Sequence, residues 1–154
     1  MFLNMSIIFS RACEYGMQAT LYIATKPDRR VGIKEIASEL NIPVHFLAKI
    51  LQSLSEKNIL TSYKGVHGGY TLQRSPDAIR LIDVVEAIDG LGFFENCVLG
   101  FPGCGTGKPC PVHDRWGQVR DTIRAMLSTD SLADLLPISR SKIADVFSGL
   151  GKNT

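Results

Sequence analysis

The sequence has no apolar run approaching the roughly 18 consecutive residues that a membrane-spanning helix needs, so no contact with a membrane is expected. Residues 1–10 are apolar in patches, but they lack a basic segment and a small-residue cleavage site, so they do not read as a secretory signal. A cytoplasmic location is expected. Net charge is also scarce: 17 Lys and Arg against 15 Asp and Glu leave +2, which by itself names no partner. There are only four cysteines, and in a reducing cytosol they suggest metal or redox chemistry more than structural disulfides. No phosphate loop is present, because Gly107-Lys108 is followed by Pro109 and no glycine stands five residues before Gly107. No dinucleotide fingerprint, internal repeat or low-complexity segment is visible. No pairing of nucleophile and base marks an enzyme, and none is expected.

What is present is the composition of a folded protein, with 45% hydrophobic and 21% charged residues. A length of 154 residues suits one compact domain plus an accessory element. The charge is unevenly spread. Residues 1–80 carry ten Lys and Arg against six Asp and Glu, whereas residues 81–154 carry seven against nine. The N-terminal half is therefore the better candidate for meeting a polyanion.

Hydrophobic periodicity predicts a helix from about Ser10 to Lys26, with Ser10 as N-cap and Ala12, Tyr15, Gly16, Ala19, Tyr22 and Ile23 at helical spacing. Ile33, Ile36, Ala37 and Leu40 make a second, short helix that Asn41-Ile42-Pro43 interrupts. Pro43 suits the first turn of a third helix running to about Lys57, whose apolar stripe is Leu47, Ile50, Leu51 and Leu54. His45, Ala48, Lys49 and Gln52 fall on another face of it, short, polar and basic. The pattern then alternates with period two: residues 60–63 and 70–73 read as strands around the glycine-rich tip Lys64 to Gly69. Arg80 to about Asp89 is helical again, with Gly90 as a C-cap. Residues 97–113 break all periodicity, with four glycines and three prolines. Trp116, Val119, Ile123, Met126 and Leu127 mark a helix of some 14 residues, and a final helical stretch is expected near Ile138.

The expected fold is mainly α with a small β-hairpin wing, a winged helix-turn-helix. A helix fits the DNA major groove and its N-terminal residues reach base edges. That reading directs His45, Ala48, Lys49 and Gln52 toward double-stranded DNA. Lys64 and Gly65 at the wing tip would approach the minor groove. Arg11, Lys34 and Arg74 are candidates for phosphate contacts, which position a protein without specifying sequence. The plainer alternative is a helical core with a solvated polar face, and the ordered series of helix, turn, helix and wing argues against it.

The loop reads Cys97-x6-Cys104-x5-Cys110-x2-His113. Thiolates are soft ligands that select iron–sulfur clusters, zinc or copper(I). Three cysteines and a histidine are an ordinary structural zinc set, but such sites usually bring close cysteine pairs, and the first two gaps here are wider. A cluster tolerates the wider spacing because its ligands sit on different iron atoms. Zinc and a thiol switch remain the alternatives.

In this ordered set of motifs the chain resembles the winged-helix iron–sulfur transcriptional regulators that include IscR and NsrR. The resemblance runs from about Phe9 to Leu136. It rests on Glu14-Tyr15, Ile33 to Ala37, Phe46-Leu47 with Leu51 and Leu54, Lys64-Gly65 with Gly68-Gly69-Tyr70, Asp83 to Ile88, and the cysteine loop. The resemblance implies a homodimeric regulator, most often a repressor, acting on a two-fold symmetric operator. Its domains would be a DNA-binding domain at 9–90, a cluster-binding loop at 91–113, and a dimerisation helix with a C-terminal helix at 114–150. It also implies an iron–sulfur cluster on Cys97, Cys104 and Cys110, [2Fe–2S] ahead of [4Fe–4S], sensing iron–sulfur, redox or nitric oxide status. His113 matches the fourth ligand of IscR-like members. Glu14 of the partner subunit is the alternative, because other members supply a first-helix carboxylate across the dimer. Two departures stand out: the first cysteine gap is six residues where many relatives have five, and Ala48 stands where IscR-like members can carry a carboxylate. Cys13 matches no ligand and is expected to be a small buried residue.

Overall fold

The structure is a computed structural model that describes residues 8–102, 107, 109–138, 141 and 144. Helix α1 spans Arg11–Ala24. The Ser10 hydroxyl accepts the Cys13 amide at 3.0 Å, satisfying one of the donors that a helix start leaves unpaired. The Ser10 amide and hydroxyl in turn both donate to the carboxylate of Asp89, tying the start of α1 to a distant part of the chain.

Helix α2, Ile33–Leu40, ends at Asn41, whose φ of +53° is left-handed, and α3, Val44–Glu56, begins directly after Pro43. Ile36, Ala37 and Leu40 of α2 meet Leu47, Ile50, Leu51 and Leu54 of α3 in the main core, over Ala19, Tyr22 and Ile23 of α1. Leu47, Leu51 and Leu54 are wholly buried, each contributing roughly 1.5–3 kcal/mol. The helix-turn-helix is thus held by the stripe that its sequence spacing predicts.

Strands β1, Leu60–Tyr63, and β2, Gly69–Leu72, pair antiparallel, Leu60 opposite Leu72 and Tyr63 opposite Gly69. The second strand therefore starts one residue earlier than the sequence pattern predicts. Gly69 belongs to the ladder, because the backbone of Val31 closes against it from the other side. Val31 and Tyr70 exchange two backbone hydrogen bonds of 2.9 Å. A Cβ on Gly69 would lie 2.8 Å from the Val31 carbonyl oxygen, and its φ of +144° already disfavours a side chain.

Helix α4, Leu81–Ile88, is opened by the Asp83 carboxylate, which accepts the Arg80 amide at 2.9 Å. A 3₁₀ turn at Gly92–Phe94 leads into the irregular cysteine loop. Helix α5 then runs from His113 to Thr129, 17 residues and so longer than expected. Residues 132–138 are helical as well, so this last stretch starts earlier than Ile138. The Leu132 amide bonds the Ile79 carbonyl at 2.8 Å, drawing the wholly buried Leu132 into the main core. A second, smaller core joins Cys13 of α1, Val85 of α4, Phe94 and Leu127 of α5. Among the described residues no helix is long and apolar enough to cross a membrane.

Candidate nucleic-acid interface and cysteine loop

The outward face of α3 carries the residues that the sequence directs to DNA. His45, Lys49 and Gln52 are exposed, and Ala48 is half-buried between them. Gln52 Nε2 donates to Glu56 Oε1 at 3.0 Å, so a carboxylate one turn on shares this face and orients the amide. Lys34 and Lys64 are exposed, and Gly65 at the wing tip has a φ of +97°, which a side chain rarely adopts.

Two of the expected phosphate contacts are engaged within the chain. Arg74 donates to the carbonyls of Asn58 and Ala78 at 3.2 and 3.3 Å and lies 3.6 Å from the Asp83 carboxylate, so it ties β2 to the start of α4. Arg11 pairs with Glu14 at 3.3 Å and lies over the ring of Tyr15.

Two residues of this region were not anticipated. Val66 at the wing tip is 98% exposed, and its signal was available as an apolar residue isolated in a glycine-rich turn. Arg30 stacks on Tyr63 and donates to the His67 carbonyl, a contact between segments 33 or more positions apart that no local pattern announces.

Between α1 and α2 lies a charged cluster. Arg29 grips both oxygens of Glu35 at 2.8 and 2.5 Å, and the Tyr22 hydroxyl donates to Glu35 at 2.8 Å. The Arg29 hydrogen bond holds the Glu35 carboxyl below its usual range. Burial, then the bond to Glu35, pushes the Tyr22 phenol upward.

In the loop, Cys97 and Cys110 come together from opposite ends, their sulfurs 4.0 Å apart. This is too far for a disulfide, whose sulfurs are about 2.05 Å apart. It is close to the roughly 3.8 Å edge of a tetrahedron of thiolates around one metal at 2.3 Å bonds. The two thiols therefore fit ligation of a single metal atom, whether zinc or one iron of a cluster. His113 is the first residue of α5, half-buried, and its amide donates to the Cys110 carbonyl at 3.0 Å. Cys104 lies outside the described residues. Among the described residues no three His, Cys, Asp or Glu side chains converge as a metal site. Cys13 is wholly buried as a small core residue packed with Val85, Phe94 and Leu127; burial, followed by the charges of Asp89 and Glu14, raises its thiol to about 12.

Two helices across a short turn, a core-facing stripe on the second, and a hairpin with a third short partner define a winged-helix protein. Comparison with known proteins agrees. A protein of Aquifex aeolicus described as an HTH-type transcriptional regulator is 32% identical over 142 residues, covering 91% of this chain and 99% of that protein. The protein rrf2 of Nitratidesulfovibrio vulgaris is 32% identical over 123 residues, 79% of this chain and 82% of its own. Among solved structures, T. potens IscR has a TM-score of 0.70 at 23% identity, covering 88% of this chain and 89% of that one. CymR, the global cysteine regulator of B. subtilis, has a TM-score of 0.70 at 24% identity, covering 89% of this chain and 98% of its own. At these identities the two structures show the shared fold. The Rrf2 family model, described as an iron-dependent transcriptional regulator, matches residues 9–138. The chain belongs to the Rrf2 family of winged-helix, DNA-binding transcriptional regulators.

Proposed function

We propose that the protein is a homodimeric regulator, a repressor in its simplest form, whose affinity for a two-fold symmetric operator is set by an iron–sulfur cluster. Cys97, Cys104 and Cys110 would hold the cluster with His113, or with Glu14 of the partner subunit, as the fourth ligand. Residues 9–90 bind DNA through His45, Ala48, Lys49, Gln52, Lys64 and Gly65, with Lys34, Arg11 and Arg74 nearer phosphates. Residues 91–113 carry the cluster, and 114–150 join the two subunits. Val119 and Met126 of α5, 47% and 60% exposed, are the apolar surface that a second copy would cover.

The observation that carries this reading is the approach of Cys97 to Cys110 at 4.0 Å from 13 positions apart. Two thiols this close suit one shared iron, as in [2Fe–2S], better than the separate irons of [4Fe–4S]. The cluster, when bound, would supply sensitivity to oxidation state and to nitric oxide. The protein's own part is to hold the thiols at the start of α5 and to present α3 and the wing to DNA.

The same distance favours a second reading, a thiol switch in which the two sulfurs lose two protons and two electrons to an oxidant and bond. The likeness to CymR, named as a cysteine regulator and also solved in an oxidized form from Staphylococcus aureus, accords with it. A structural zinc ion on the same residues is the third. Purification without oxygen, a visible spectrum, and iron, sulfide and zinc analysis separate them. Iron and sulfide with visible absorption are expected. Zinc alone, or no metal with reversible thiol oxidation, would replace the cluster reading.

A further inference from the structure

The carbonyl of Asn96, the residue before Cys97, accepts two hydrogen bonds from α5. The Trp116 indole donates at 2.9 Å and Arg120 Nη1 at 3.2 Å. The other end of the loop is tied to the same helix, because the His113 amide holds the Cys110 carbonyl at 3.0 Å. Both cysteines are thus one short step from α5, and their sulfurs face each other across the gap.

Trp116, Arg120, Ile123 and Leu127 recur at helical spacing and form the inward stripe of α5. The Trp116 ring stands edge-on to Phe93 with centroids 5.8 Å apart, and Phe93 meets Phe9 at 5.7 Å just ahead of α1. Leu127 is buried with Phe94, Val85 and Cys13, so the stripe grips the 3₁₀ turn, α4 and α1 together. Arg120 Nε is buried with no hydrogen-bond partner among the described residues. A core helix needs no such group, and an orphaned buried donor asks for a reason. Reaching the Asn96 carbonyl supplies one.

We propose that the fork of Trp116 and Arg120 on the Asn96 carbonyl is the latch that couples the state of the Cys97–Cys110 loop to the position of α5. Trp116 and Arg120 are positioning residues and not ligands. The proposal rests on the reading that these cysteines change state, by metal or by oxidation. Drawing Cys97 toward Cys110, or releasing it, moves the carbonyl one residue away, and two donors of α5 on adjacent turns must follow or let go. Through Phe93, Phe94 and Leu127 that movement reaches α1, which packs against α3.

Trp116 is the single tryptophan of the chain, so its emission reports on this contact in the intact protein. The test compares metal-free and iron-loaded full-length protein, using a duplex selected from a random pool by the loaded wild type. DNA affinity is read in both states for the wild type, Arg120→Gln, Arg120→Lys and Trp116→Phe, and Trp116 emission for the first three, together with metal content and melting temperature.

The wild type is expected to differ between states by about tenfold in affinity, within the usual range of allosteric coupling, with a shift in Trp116 emission. Arg120→Gln is expected to load iron as the wild type does, yet lose most of the affinity ratio and the emission shift. Arg120→Lys, which keeps a donor, restores part of both. Trp116→Phe keeps an aromatic ring to meet Phe93 and removes the indole donor, so it gives the same loss of ratio should Arg120→Gln fail to fold. A full affinity ratio in stable, loaded Arg120→Gln and Trp116→Phe overturns the latch while the sensor reading stands. A loaded wild type with equal affinity in both states overturns the sensor reading, and the latch falls with it.

Discussion

The guanidinium of Arg30 lies 3.8 Å from the centre of the Tyr63 ring, while its Nη1 donates to the His67 carbonyl at 3.2 Å. One side chain from the segment between α1 and α2 thereby holds the wing at two points, the end of β1 and the turn that follows it. Arg30→Ala removes a cation–π contact and a hydrogen bond, together worth about 1 kcal/mol. The expected result is a fall in melting temperature of about 2–4 °C for a chain of this size, with weaker DNA binding. Arg30→Lys keeps the charge but not the planar stack and should fall between. An unchanged melting curve and unchanged amide exchange at Tyr70 in Arg30→Ala would show that the clasp contributes nothing.

On α3, Lys49 and Gln52 should fail in different ways. Lys49→Ala is expected to weaken binding to all duplexes alike and to flatten the logarithmic salt dependence by about one unit. Gln52→Ala should cost about 1–3 kcal/mol and relax preference at one base pair of each half-site. Titrations over a range of salt, on the selected duplex and on single-base variants, distinguish the two. Identical behaviour of both variants would remove Gln52 from base readout.

Cys13 should be chemically silent in the folded protein. With its thiol raised from 9.0 to about 12, chiefly by burial, it carries almost no thiolate at neutral pH. Iodoacetamide followed by mass spectrometry is expected to label Cys13 only after unfolding. Because the folded value lies above the unfolded one, its contribution to stability is complete below pH 9 and is lost as pH rises toward 12. Native labelling of Cys13 at the rate of the unfolded chain would contradict its placement in the core.

The Arg29–Glu35–Tyr22 cluster predicts the opposite pH dependence. The Glu35 carboxyl is held low mainly by Arg29, so the cluster stabilises the fold above the unfolded value of about 4.5 and loses that effect as pH falls through the folded one. Glu35→Gln should melt below the wild type at pH 7, and the gap should close in acid. A gap that stays constant down to pH 3 would mean that the ionised carboxylate is not its source.

Much of this architecture was legible in the sequence because the relevant spacings are local. Leu47, Ile50, Leu51 and Leu54 recur with helical period and are all buried in α3. Ser10 reads as an N-cap from its position and caps α1 through the Cys13 amide. The cysteine loop was legible by composition, since a segment so rich in glycine and proline cannot be helix or sheet. The boundary of β2 was less so, because Gly69 looks like a turn residue until Val31 closes on it. The apolar residues of α5 read as one stripe, yet the structure divides them: Trp116, Ile123 and Leu127 pack inward while Val119 and Met126 stay exposed.

Taken by itself, the sequence determined the class of fold, the polar outward face of α3 and the gathering of three cysteines in one loop. Each of these depends on periodicity or on residue type within a few positions. Only the tertiary structure decided that Arg74 braces the wing, that Arg30 clasps it, and that Asn96 meets Trp116 and Arg120. The reason is that a hydrogen bond or ring contact depends on where two side chains are carried by the packing of their elements. Such distances are set by the core that Leu51, Val85 and Leu127 help to build, and no spacing along the chain encodes them.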